Sequence, residues 1–148
     1  MVVTLRERAL RFLARREHSR VELARKLAPH AESGTQLEGL LDALEARQLL
    51  SDSRYVEMRL NARGERFGNA RLVHELKQQG IANGLLTAAL EMAGDELPRA
   101  RKVWQHRFGK QTGDTDAAER ARQARFLMSR GFSGETVRRV LRGDFEED

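Results

Sequence analysis

The chain has 148 residues, of which 40% are apolar, 33% charged and only 5% aromatic, with two prolines and no cysteine. This length suits one domain or a few small modules, and the lack of cysteine excludes a disulfide scaffold and argues against the common structural zinc sites. No window is apolar enough for a membrane span, and the start "MVVTLRERAL" carries no secretory pattern, so a cytoplasmic protein without membrane contact is expected.

Net charge is +5 but unevenly spread: residues 1–26 carry +5, 27–97 carry −4, 98–142 carry +8, and the tail "GDFEED" carries −4. Two basic regions flanking an acidic middle suit a protein that meets a polyanion and another protein together. The plainer reading is that arginine merely solvates helix faces.

Leu, Ala, Arg and Glu dominate and β-branched residues are few, which favours helix throughout. In "TLRERALRFLARR", Leu5, Ala9, Phe12 and Leu13 make one apolar stripe. In "HSRVELARKL", Ser19 and Glu22 have capping-box spacing, and Leu23 and Leu27 are expected to point inward. Thr35 and Glu38 repeat that spacing before "LEGLLDALEARQLL". "DSRYVEMRLNARGERFG" follows, then a turn with Asn69 as a candidate cap, then "ARLVHELKQQG", which Gly80 should end in a left-handed conformation. "IANGLLTAALEMAG" and "DELPRARKVWQHRFGK" come next, the latter with Pro98 in its first turn, where the missing N–H costs little. "DAAERARQARFLMSRG", capped by Asp116 with Glu119, and "FSGETVRRVLRG" complete nine helices. The stretches "PHAESG" and "HRFGKQTGDTD" are expected to be mobile loops.

"LKQQGIANGLLTAAL" and "LMSRGFSGETVRRVL" align without a gap, pairing Leu76 with Leu127, Gly80 with Gly131, Ile81 with Phe132 and Leu90 with Leu141. A period near fifty residues predicts an all-α protein, an elongated and curved array of three tandem three-helix, helix-turn-helix-like repeats. Their boundaries fall at residues 1–50, 51–94 and 95–143, and residues 144–148 form an acidic tail.

Catalytic chemistry finds little support. No two of His18, His30, His74 and His106 have the spacing of a helical metal site, and "VHELKQQ" has Gln where the second ligand of H-E-x-x-H would stand. His18 precedes a cap and is expected to be exposed. No phosphate loop, cysteine nucleophile or clustered carboxylates are visible, so neither an enzyme nor a cofactor is expected. The basic residues are more informative. Arg16, Arg20, Arg25 and Lys26 surround the Ser19 cap; Arg59, Arg63 and Arg66 are spaced for one helical face, with Arg71 across the turn. Arg122 and Arg125 lie near Arg130, and Arg138, Arg139 and Arg142 crowd the final helix. Guanidinium groups grip phosphates bidentately, so these faces are candidates for nucleic-acid backbone. Rings for stacking on bases are few: Tyr55, Phe67, Trp104 and Phe108.

Three stretches, "ALRFLARREHSRVELARKL", "LSDSRYVEMRLNARGERFGNARLVHELKQQGI" and "RFLMSRGFSGETVRRVL", in that order and spacing, resemble the RecX family of RecA regulators from about Arg8 to Leu141. The family commonly has a paired acid in "DD-x-R-[YF]-A"; here "SDSRYV" keeps Asp52, Arg54 and Tyr55 and lacks one acid and the alanine. The resemblance implies three three-helix repeats, no catalytic residues, and binding along RecA filaments on single-stranded DNA. It further implies inhibition of their ATP hydrolysis, strand exchange and coprotease action, and so a place in homologous recombination, DNA repair and the SOS response. A monomer is expected, and duplex DNA is a further candidate ligand. Two other readings stay open: a general DNA-binding module acting without RecA, and a nucleic-acid enzyme with a carboxylate cluster.

Overall fold

The computed structural model describes residues 2–110 and 115–143. Among them are nine α-helices and no strand: α1 (Leu5–Arg15), α2 (Arg20–Leu27), α3 (Gly34–Ala46), α4 (Asp52–Arg63), α5 (Asn69–Gln78), α6 (Asn83–Ala93), α7 (Leu97–Phe108), α8 (Ala117–Ser129) and α9 (Gly134–Arg142). Each matches a helix read from the sequence. The acidic tail and residues 111–114 of the second expected loop lie outside the described residues. The first expected loop holds a 3-10 turn, Ala28–His30, with Pro29 within it.

The chain groups into two compact units, one of Met1–Met58 with Leu76–Leu86, the other of Arg59–Glu75 with Thr87–Asp148. In the first, α1, α2 and α3 close over Leu5, Ala9, Leu23, Leu27, Leu41, Leu44 and Leu50, every one of them buried. Apart from Leu50, which lies between α3 and α4, these are positions that helical spacing selects, because only one stripe of each short helix can leave water. In the second, α7, α8 and α9 pack on one another around Leu97, Ala100, Leu127, Phe132, Val137 and Val140.

Most helix starts follow local chemistry. Ser19 Oγ accepts from Glu22 N at 3.0 Å, Asp116 Oδ1 from Glu119 N at 2.8 Å, and Ser133 Oγ from Thr136 N at 3.1 Å. Each satisfies an amide that the helix itself cannot. Gly80 and Gly131 both take positive φ, as their aligned positions require. Two expected caps are corrected. Helix α3 starts two residues earlier than "TQLE" suggests, because Ser33 rather than Thr35 accepts from Gln36 N. Asn69 does not cap α5 with its side chain, whose Oδ1 instead accepts from Arg99.

The start of α5 is satisfied from a distance. Asn69 N donates to Glu96 Oε2 at 2.8 Å, Gly68 N to the Arg130 carbonyl and Ala70 N to the Gly131 carbonyl. The other oxygen of Glu96 accepts from Ser133 N and from Thr136 Oγ1, both at 2.9 Å, so one buried carboxylate joins the starts of α5, α7 and α9. Burial alone would raise the Glu96 pKa. The hydrogen bonds from Ser133, Asn69 and Thr136 outweigh burial and hold it below its ordinary value of 4.5. In the first unit Asp52, at the start of α4, does the same for α2, accepting from Arg20 N at 2.8 Å. The acid retained in "SDSRYV" is therefore a helix cap acting across 32 residues.

His18 is the other correction: it is buried, 1% exposed, at the corner between α1 and α2. Its Nε2 lies 2.9 Å from Lys26 Nζ, which can only donate, so Nε2 accepts and Nδ1–H donates to the Arg16 carbonyl at 3.0 Å. Phe12 packs against the ring. Burial, with Lys26 and Arg16 beside it, lowers the His18 pKa from its ordinary 6.5 and keeps the ring neutral. A depressed histidine pKa gives stability that is full above pH 6.5 and declines as the pH falls below it. The melting temperature should therefore fall between pH 7 and 5.5, and His18→Gln, which keeps a donor and an acceptor without titrating, should flatten that fall. Equal slopes in the two proteins would contradict this account.

Candidate nucleic-acid interface

The opening basic group is largely tied to its own unit. Arg20 is 24% exposed and reaches Glu38, Asp42 and Glu45 along α3 at 2.6, 2.8 and 3.1 Å, which clips α2 to α3. Glu22 does not reach back to close the capping box; it takes Arg16 through both oxygens, at 2.9 and 2.6 Å. Arg25 donates to the Gln78 carbonyl, and Lys26 is held by His18 and the face of Phe12. Arg54 pairs with Glu17 and also donates to the Gln48 carbonyl.

The second unit gathers its arginines differently. The expected face of Arg59, Arg63 and Arg66 is broken, because α4 stops at Arg63 and Arg66 falls in the turn that follows. That turn brings α5 back alongside, and three guanidinium groups converge on Glu75. Arg63 makes a bidentate pair through Nε at 2.8 Å and Nη2 at 2.7 Å, while Arg59 and Arg71 each approach to 3.5 Å. Beneath them lies the ring of Phe67. Arg71 stacks 4.2 Å from its centroid, Arg63 4.4 Å and Arg130 5.3 Å. Arg130 also lies 5.1 Å from the ring of Phe126, which Arg107 covers at 5.2 Å. Phe126 packs edge-on against Phe108, where Arg122 stacks at 5.3 Å while paired with Glu119.

This is a lattice of guanidinium groups laid over phenylalanine faces. Contact with the ring faces restrains these guanidinium groups, whose N–H donors are of the kind that take a phosphate bidentately. Glu75 and Glu119 answer only part of the positive charge of Arg59, Arg63, Arg71, Arg107, Arg122 and Arg130. Arg66, Arg125 and Arg138 are exposed, and Arg139 lies 3.7 Å from Asp95.

The aromatic expectations need correcting. Tyr55, Phe67 and Phe108 are all buried, at 2%, 8% and 3% exposure, so they offer no face to a base. Trp104 is half-buried and donates from Nε1 to Gln123 Oε1 at 2.9 Å. Phe67 and Phe108 serve arginine instead. Sequence reading missed Arg107 and the role of Glu75. The signal was present only as the spacing Arg63–Phe67–Arg71–Glu75, a four-residue step that runs through a turn and so could not be read as one helical face. Among the described residues no group of three or more histidines and carboxylates is arranged to hold a metal, and no helix is long and apolar enough to cross a membrane.

Residues 95–141 match the family model for the third three-helix domain of RecX, and residues 6–30 that for the first. The regulatory protein RecX of Leptothrix cholodnii is 52% identical over 148 residues, covering 99% of this chain and 93% of its own. That of Herminiimonas arsenicoxydans is 46% identical over 147 residues, covering 99% and 96%. Among solved structures, RecX from Lactobacillus salivarius superposes with a TM-score of 0.79 at 17% identity, over 94% of this chain and 93% of that one. A likeness at 17% speaks for the shared fold, but identity near one half along almost the whole chain settles kinship: the protein belongs to the RecX family of regulatory proteins.

Proposed function

We propose that the protein is a negative modulator of the RecA recombinase. It binds RecA–single-stranded DNA filaments in the cytoplasm, as a monomer, and lowers their ATP hydrolysis, strand exchange and coprotease activity. It thereby acts in recombination, DNA repair and the SOS response. In this reading it works by binding rather than turnover, and its repeats span residues 1–50, 51–94 and 95–143, followed by an acidic tail at 144–148. Membership of a regulatory family supports the reading, and the single structural observation that carries it is the arginine lattice over Phe67, Phe126 and Phe108. With the rings covered, that surface suits backbone phosphate and not base edges, which fits a ligand of arbitrary sequence. Of the basic residues, Arg59, Arg63, Arg71, Arg122 and Arg130 belong to this surface, and Arg66, Arg125, Arg138, Arg139 and Arg142 are candidates to extend it. Arg16, Arg20, Arg25 and Lys26 contribute mainly by holding the first unit together.

The test is a titration of RecA-catalysed, single-strand-dependent ATP hydrolysis with this protein. Hydrolysis should fall as the protein is added and stay depressed when excess single-stranded DNA is supplied. Recovery on adding DNA would mean that the protein only sequesters the strand, and the alternative of a general DNA-binding protein acting without RecA would stand.

A further inference from the structure

Three guanidinium groups sharing one carboxylate is an unbalanced arrangement. Glu75 can neutralise one positive charge, yet Arg59, Arg63 and Arg71 all lie within 3.5 Å of it, and Arg130 joins two of them over Phe67. A single ion pair would have fastened α4 to α5. The Glu75 side chain keeps 21% of its surface exposed and the three arginines 32%, 28% and 41%, so the cluster is open to solvent and to a ligand. The carboxylate oxygens stand where the oxygens of a bound phosphate would stand: both accept donors from the same guanidinium edges, in the same bidentate geometry.

We propose that Glu75 is a resident counter-anion of this site. It holds Arg59, Arg63 and Arg71 in the geometry that a nucleic-acid phosphate requires, and it competes with that phosphate for them. Binding is thereby weakened, so the protein releases backbone and moves along it instead of locking on. This rests on the polyanion-binding part of the function proposed above, and it assigns Glu75 a regulatory part in it. In the free protein Glu75 keeps the arginines ordered, which lowers the entropic cost of capturing an anion. In the complex its charge opposes the ligand.

The two effects have opposite signs under substitution. Glu75→Gln keeps the side chain's size and one acceptor oxygen but removes the charge. If competition dominates, as proposed, the full-length E75Q protein should bind a fluorescein-labelled 30-residue oligothymidylate about fivefold more tightly at moderate salt. The dependence of log affinity on log salt should steepen by about 0.7 for each phosphate newly engaged. Anisotropy measured without RecA across a salt series reads both. Affinity unchanged or weakened in E75Q, with no steeper slope, would overturn the proposal and leave Glu75 as a purely structural clasp. The gain should also vanish in the Glu75→Gln, Arg63→Gln double variant; a gain that persists there would place the effect elsewhere and equally defeat the proposal.

A measurement on the unaltered protein guards against E75Q failing to fold. The Arg63 Nε–H donates to Glu75 Oε2 at 2.8 Å and has its own nuclear magnetic resonance signal. That signal should shift as oligothymidylate is added; a signal that stays in place at saturation would refute exchange of Glu75 for phosphate. Because neither experiment contains RecA, a failed ATPase titration with positive results here would refute the RecA reading and leave this one standing.

Discussion

Glu96→Ala is expected to cost about 3 kcal/mol of stability, because it removes the acceptor of three donors at once, one buried and two part-buried, and each unsatisfied group costs roughly 1–3 kcal/mol before local relaxation. Asn69 N, Ser133 N and Thr136 Oγ1 all donate to this carboxylate, and Thr136 Oγ1 also meets the Ser133 hydroxyl at 2.9 Å. For a chain of this size the loss corresponds to a fall of about 10 °C in melting temperature. Glu96→Gln should fall between the two: one oxygen still accepts, but the amide nitrogen then faces a donor. The pH dependence has a definite sign. The pKa of Glu96 is depressed on folding, so its contribution is full above its ordinary value of 4.5 and disappears as the pH falls through the lowered folded value. Urea unfolding midpoints at pH 7 and pH 4 measure this. The gap between wild type and Glu96→Ala should be large at pH 7 and narrower at pH 4; an equal gap at both would show that the charge on Glu96 is not what matters.

How far the sequence reveals the protein depends on the distance over which each interaction acts. Helices were legible because their determinants are local: the Leu23–Leu27 stripe, the Ser19 and Asp116 caps and the turn glycines each act within a few residues. What escaped were contacts made across tens of residues. Asn69 has the chemistry of a cap, yet Glu96 arrives from 27 residues away and takes its place. His18 precedes a cap and looked exposed, but Phe12 and Lys26 close over it from two helices. The candidate site shows the same division. Its residue types were visible, since arginine at this density suggests phosphate, but their grouping was not. Arg20 and Arg63 look alike in the sequence. One is spent on three carboxylates of α3, while the other shares a single glutamate with two more arginines.

Gly131→Ala is the second large effect expected, and it connects stability to the site. Gly131 has φ +91, a conformation that costs a residue with a Cβ about 1 kcal/mol or more. An added methyl would also meet Arg71, lying 2.7 Å from its backbone nitrogen. This is backbone and cannot rotate away, so relieving the overlap adds roughly 1–3 kcal/mol. Gly94 supplies the control, because it also has positive φ, +70, but open space where its Cβ would stand. Gly94→Ala should lose only about 1 kcal/mol through backbone conformation, against about 3 kcal/mol for Gly131→Ala. The consequences should differ in kind as well as size. Any shift of Gly131 away from Arg71 moves Arg130 and the start of α5 together, since Gly68 N and Ala70 N are held by the carbonyls of residues 130 and 131. Arg71 and Arg130 would then leave the face of Phe67, so Gly131→Ala should weaken oligothymidylate binding under conditions where it is still folded, while Gly94→Ala leaves binding intact. Urea unfolding with anisotropy on the same samples distinguishes the cases. Equal losses of stability would mean that crowding against Arg71 is relieved without cost, and the tie between this turn and the arginine lattice would have to be abandoned.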